Sequence, residues 1–167
     1  GYACRHNIGY WERENYLGLG LGASSLMENI RYSNISGLYE YLEQSANIRE
    51  GLWENEVSEE RADGVYSYTE ELSATNLHAS AERIGRKGQI EEFMFLGLRM
   101  QKGVSEEEFR AAFGKSVDQV YPGIVTKYVE NGLLRRASAS AGQGGRIALT
   151  ERGIDVSNVV MADFLLT

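Results

Sequence analysis

The chain is short of several things. Its 167 residues include one cysteine, one proline and two histidines. A single cysteine excludes an internal disulfide framework and fits a reducing compartment, so a cytoplasmic setting is expected. It also excludes a structural zinc site: Cys4 and His6, with His78 far along the chain, are too few ligands. Cations are scarce as well. Lys and Arg number 17 against 24 Asp and Glu, a net charge of −7, which argues against a nucleic-acid partner held through its phosphates. No apolar run approaches the length that crosses a bilayer, so no membrane span is expected. What remains is 43% hydrophobic and 25% charged, ordinary globular material with enough chain to bury a core.

Against that background one stretch stands out. Cys4-Arg5-His6-Asn7-Ile8-Gly9-Tyr10-Trp11 places a thiol, a guanidinium and an imidazole beside two aromatic rings. It is followed by Leu17-Gly18-Leu19-Gly20-Leu21-Gly22, with glycine at every second position. That period of two reads as a strand. Glycines repeated along one face imply a close approach to the backbone, by a neighbouring element or by a flat ligand. They do not form a dinucleotide fingerprint, because the G-x-G-x-x-G spacing is absent.

Further along, a second strand is expected around Ile30 to Tyr32. A short helix capped by Ser36 follows, with Leu38, Tyr41 and Leu42 on one face. Residues 47–88 read as an acidic connector and a polar helical or loop insertion, with Trp53 as its lone large anchor. Residues 89–167 are more regular. Ile90, Phe93, Met94, Gly97 and Leu98 form one helical stripe. Arg99, directly after it, is expected to be partly buried and paired, by a salt bridge or by a ligand carboxylate. Ser105 with Glu108 reads as a capping box opening a helix that buries Phe109, Ala112 and Phe113 and stops at Gly114. A helix from Ser116, broken or kinked at Pro122, runs on to Asn131-Gly132. Strand candidates at Leu133–Ala137 and Arg146–Leu149 precede a helix from Thr150. Helix, helix, hairpin and helix is a winged-helix-like pattern. Its second helix carries Asp118, Lys127 and Glu130, a net negative face, so a DNA-reading role is disfavoured despite Arg135, Arg136, Arg146 and Arg152.

His6-Asn7-Ile8-Gly9-Tyr10-Trp11 resembles the HNxxYW signature of the HemW family. That family comprises haem chaperones of radical-SAM type, related to oxygen-independent coproporphyrinogen III oxidase. The likeness continues through Tyr16-Leu17-Gly18, Gly20, Gly22-Ala23, Arg31 and Asn34. It returns at Leu96-Gly97-Leu98-Arg99, Gly132-Leu133-Leu134, Leu149-Thr150, Gly153 and Ser157-Asn158. Where the family has GAHS, this chain has Gly22-Ala23-Ser24-Ser25, so no role carries over from that histidine.

The resemblance implies an α+β fold. Residues 1–46 would be the remnant of the end of a radical-SAM partial (β/α) barrel, and residues 89–167 a winged-helix-like, mainly helical domain. Because the chain opens inside the motif, it reads as the later portion of a longer protein. The implied function is haem binding and delivery to an acceptor protein. The alternative is part of an oxygen-independent coproporphyrinogen III oxidase acting on a porphyrinogen, and a winged-helix nucleic-acid binder stands third. A porphyrin site needs an axial donor, flat apolar walls and cations for two propionates. His6 is the candidate iron ligand, Tyr10 and Trp11 the walls, Arg5 the propionate partner, and Cys4 a second candidate ligand. Gly20, Gly22 and Ala23 would mark a close approach near S-adenosylmethionine or substrate in the intact protein. A 4Fe–4S cluster on CxxxCxxC belongs to that intact protein; this chain has only Cys4 and should be catalytically inactive alone.

Overall fold

The computed structural model describes residues 3–51, 77–137 and 145–166. They form two compact units, Asn15–Gly85 and Gly1–Glu14 with Arg86–Thr167. Helix and sheet are mixed in both. Trp53, most of the acidic connector and the loop between the last two strands lie outside the described residues.

The Asn15–Gly85 unit holds an antiparallel sheet of order β1-β2-β3, from β1 (Ser24–Met27), β2 (Ile30–Asn34) and β3 (His78–Arg83). Glu28 and Asn29 join β1 to β2, both with positive φ (48° and 65°), the backbone of a tight two-residue hairpin whose twist matches the strands. Leu26, Ile30, Tyr32, Ile35 and Ile84 are buried there. The helix expected after Ser36 is α2 (Leu38–Gly51), and it extends into the stretch read as connector. The polar insertion expected near residues 74–88 contains a strand instead, β3, whose only half-buried residue is His78. Its backbone pairs with β2 from Ile30↔Arg83 to Asn34↔His78. A nearly fully exposed edge strand has no alternation of apolar residues, so its sequence gives no strand signal.

The glycine segment differs from expectation. Residues 17–22 are not a strand; beyond a bridge between Tyr16 and Leu26, the chain runs as a loop. Gly20 and Gly22 have φ of +94° and +61°, a region that side chains resist. Asn34 holds the loop by donating from Nδ2 to the carbonyls of Gly20 (2.8 Å) and Gly18 (3.4 Å). Buried Ser25 accepts from Gly18 N at 3.0 Å. A close approach does exist, but the chain itself makes it: a Cβ on Gly18 would lie 2.2 Å from the Ser24 carbonyl oxygen.

In the other unit, α1 (Arg5–Trp11) joins α3 (Arg86–Gly97), β4 (Val104–Ser105), α4 (Glu106–Phe113), α5 (Val117–Val120) and α6 (Ile124–Glu130). These are followed by β5 (Leu134–Ala137), β6 (Arg146–Leu149), α7 (Glu151–Asp155) and α8 (Ser157–Ala162). The sheet is antiparallel with order β4-β6-β5. The core gathers Met94, Leu98, Phe109, Phe113, Val117, Tyr121, Val125, Ile147, Val160 and Phe164. The stripe of α3 packs as its spacing predicts, with Met94, Gly97 and Leu98 buried and Ile90 and Phe93 partly so. Ala112 is exposed, whereas Phe109 and Phe113, one turn apart, turn inward. Pro122 ends the helix outright: α5 stops at Val120, and Gly123, at φ +78°, restarts the chain as α6. Tyr121, between them, is buried and donates from its hydroxyl to the Phe164 carbonyl at 3.0 Å.

Ser105 accepts from Glu108 N at 3.2 Å, the first half of the expected box. The reciprocal arrangement is found at Ser116 and Gln119, where both bonds form. Ser105 is also the last residue of β4, opposite Arg146. Ser105→Ala should therefore cost about 0.5–2 kcal/mol, the usual cost of losing a cap. Urea denaturation would measure it; an unchanged midpoint would mean that the cap contributes nothing.

Candidate functional site

The histidine–aromatic motif forms α1, a seven-residue helix with no buried residue. Helical spacing sets which of its groups meet. His6 and Tyr10 lie one turn apart on the same face. Their rings sit edge to face at 4.7 Å between centroids, and the Tyr10 hydroxyl is 3.2 Å from His6 Nε2. Arg5 and Trp11 flank this pair, each about 100° around the helix from its nearer member. Arg5 and His6 are exposed and Trp11 is half-buried. Cys4 is the exposed N-cap residue, and its side chain makes no cap bond. The structure thus gathers Cys4, Arg5, His6, Tyr10 and Trp11 on one short helix and joins His6 directly to Tyr10. Gly20, Gly22 and Ala23 belong to the other compact unit.

The chemistry follows from the imidazole. A neutral ring carries one N–H and one lone pair. With Nε2–H donating to the phenol oxygen, Nδ1 keeps a lone pair for a metal; with the phenol donating, Nε2 must be released before it can ligate. Either way the donor is solvent-facing, beside aromatic surface and one guanidinium. Iron–sulfur chemistry does not fit. Cys4 is the one cysteine of the whole sequence, and such clusters need several thiolates. Among the described residues, no three His, Cys, Asp or Glu side chains group to hold a metal ion.

One expectation about arginine changes. Arg99 is exposed, and its guanidinium lies 4.5 Å from the centroid of Phe95, stacked on an aromatic face rather than buried. The arginines of the β5–β6 hairpin are held by the protein itself. Arg136 Nη2 reaches Asp118 Oδ2 at 2.6 Å and also binds Glu106. Arg135 donates to the Gln101 carbonyl (2.9 Å) and Arg146 to those of Lys102 (2.9 Å) and Gly103 (3.2 Å). Donors already satisfied by neighbouring oxygens are poorly placed to meet phosphates.

Sequence reasoning passed over His78. It faces a cleft of about 530 Å³ lined by Ile35, Ser36, Gly37, Glu40 and Gln44. Its Nδ1 is 3.1 Å from Asn34 Oδ1, and its ring meets Tyr32 edge to face at 4.6 Å. Burial lowers its pKa below the ordinary 6.5. A base whose folded pKa is depressed stabilises the fold fully above its unfolded pKa, and that contribution is lost as pH falls below about 6.5. With two histidines in the chain, an imidazole proton NMR titration with His6→Ala for assignment should show His78 titrating below 6.5. A midpoint at or above that value would contradict the burial argument.

Nor does the sequence pattern reveal that α1 is tied to α3. Arg13 Nε donates to Glu92 Oε2 at 2.9 Å across 79 positions, and Lys102 pairs with Glu12.

Residues 85–156 match the HemN C-terminal domain. Over 166 residues, 99% of this chain, the sequence is 31% identical to the heme chaperone HemW of Lactococcus lactis subsp. lactis (strain IL1403). It is 28% identical over 165 residues to the heme chaperone HemW of Bacillus subtilis (strain 168). The chain spans 35% of the length of each of these relatives. A solved structure of coproporphyrinogen III oxidase (HemN) from Escherichia coli, described as a radical SAM enzyme, superposes with a TM-score of 0.57 and 14% identity. It covers 91% of this chain and 28% of that one, a likeness of fold. The chain is similar to the heme chaperones HemW along its length, and its residues 85–156 match the HemN C-terminal domain.

Proposed function

We propose that this chain contributes to haem binding and delivery within a HemW-like protein of the cytoplasm, with His6 as the iron ligand. The observation that carries the reading is the exposed His6–Tyr10 pair, 3.2 Å apart on the motif helix of a chain that matches heme chaperones over 99% of its length. Tyr10 and Trp11 offer flat surface and Arg5 a bidentate partner for a propionate; Cys4 is the alternative ligand, of different spectral character, should His6 not serve. We read residues 89–167 as winged-helix-like, in keeping with the order of α3, α4, the paired α5–α6 and the β5–β6 hairpin. We read the segment before residue 46 as the end of a radical-SAM barrel, with Gly20, Gly22 and Ala23 near S-adenosylmethionine or substrate in a full-length protein. Cluster and S-adenosylmethionine chemistry would be supplied by the portion of such a protein that this chain lacks. A protein that accepts the haem is the partner this reading requires. The second reading, a piece of a porphyrinogen-decarboxylating oxidase, draws on the fold likeness to HemN, whereas the near-complete sequence matches are to chaperones.

Haemin titration followed by the Soret band tests the assignment. His6→Ala should weaken binding at least tenfold, about 1.4 kcal/mol, and alter the band. Cys4→Ala should leave both unchanged. An unaltered titration in His6→Ala would remove His6 as the ligand, and a loss confined to Cys4→Ala would assign a thiolate.

A further inference from the structure

α1 has a specific end. Glu14 N–H donates to the Gly9 carbonyl at 2.9 Å and Arg13 N–H to that of Tyr10 at 3.2 Å, the pair of bonds that defines a Schellman motif. Its left-handed position is normally glycine, because a Cβ is disfavoured there. Here it is Arg13, at φ +57°. The side chain accounts for the exception. From this position its Nε reaches Glu92 Oε2 at 2.9 Å, and the two side chains are only 13% and 22% exposed. Glu92 sits in the middle of α3, within the residues that match the HemN C-terminal domain.

A helix of seven residues is too short to be stable on its own, and α1 buries none of its side chains. Ile8 and Trp11 are half-buried, and the contacts at the helix's C-terminal end add to what sets its direction. The C-terminal end is tied by Arg13 to Glu92 and by Glu12 to Lys102. The second tie is more exposed, at 31% and 50%, so Arg13–Glu92 is the stronger constraint. We propose that Arg13 and Glu92 are positioning residues for the haem site: they fix how α1 presents His6 and Tyr10, and so make the HemN-type domain the frame of that site. This rests on the haem reading above.

The test uses the 167-residue chain, haemin titration, and amide hydrogen exchange of α1 without haemin. Arg13→Gly keeps the residue type that a Schellman motif prefers and removes the anchor; Glu92→Gln removes the charge and keeps the shape. Both should weaken haemin binding by about tenfold, the usual worth of a charge-assisted bond. The Soret position should be unchanged and α1 exchange faster. The double variant Arg13→Glu/Glu92→Arg should recover part of both. Wild-type affinity and wild-type exchange in Arg13→Gly would overturn the proposal. Lost affinity with unchanged exchange would also overturn it, by placing Arg13 against the haem carboxylates instead. If His6→Ala binds haemin like the wild type, the haem reading fails separately, and the exchange measurement still decides whether the pair orients α1.

Discussion

Phe109→Ala should destabilise the unit that holds it by about 3–5 kcal/mol, the range for truncating a buried aromatic ring. The ring is fully buried. It meets Phe93 at 5.6 Å and Phe113 at 4.9 Å between centroids, both edge to face, while Phe93 and Phe113 meet at 5.5 Å. In each pair of this triangle one ring presents its positive rim to the other's negative face, so removing Phe109 breaks two such contacts as well as opening a cavity. Phe93 and Phe113 remain to hold each other, so little of the cavity should collapse. Domain stabilities are typically about 5–15 kcal/mol in total, so this one change should take a large share. Equilibrium urea denaturation measures it. A midpoint near the wild-type value would mean that the triangle is not a core.

Gly103→Ala should cost about 2–5 kcal/mol. Gly103 has φ +67°, and an added Cβ would lie 2.2 Å from the Ile147 carbonyl oxygen and 2.5 Å from the Ala148 Cβ. The left-handed backbone alone costs a side chain roughly 1–2 kcal/mol, and overpacking against β6 adds about 1–3 kcal/mol. Gly114 separates the two contributions. Its φ is also +67°, but nothing lies within 4 Å of an added Cβ, so Gly114→Ala should cost only roughly 1–2 kcal/mol. Equal losses for the two variants would show that backbone conformation decides both and that β6 yields to the methyl group.

What could be read in advance follows the range of the interactions. The Ser105 cap, the Phe109–Phe113 spacing, the stop at Gly114 and the strands on either side of residues 138–144 depend on neighbours within a few positions. Local spacing records such neighbours. The glycine loop was misread because alternation alone cannot show that Asn34, 14 to 16 residues away, would bind its carbonyls. β3 went unseen because Ala79 to Arg83 are exposed, and the strand exists through its pairing with β2. The motif helix was legible as a cluster of chemistry, since His6, Tyr10 and Trp11 are close in sequence. Its attachment through Arg13 and Glu92 was not, because no periodicity links positions 79 apart.

Asn34 has one more consequence, for the protonation of His78. The two ends of an amide side chain are not equivalent: the nitrogen can only donate and the oxygen can only accept. The Gly18 and Gly20 carbonyls require a donor, so the Asn34 nitrogen must face them, and its oxygen is left for His78. A ring nitrogen opposite that oxygen must carry the proton. His78 is thereby set as the Nδ1–H tautomer, and in the neutral ring the lone pair sits on Nε2. When the ring takes up a second proton in acid, it must do so at Nε2, with the bond to Asn34 intact. The glycine loop, through one shared amide, thus decides which atom of His78 acts as the base.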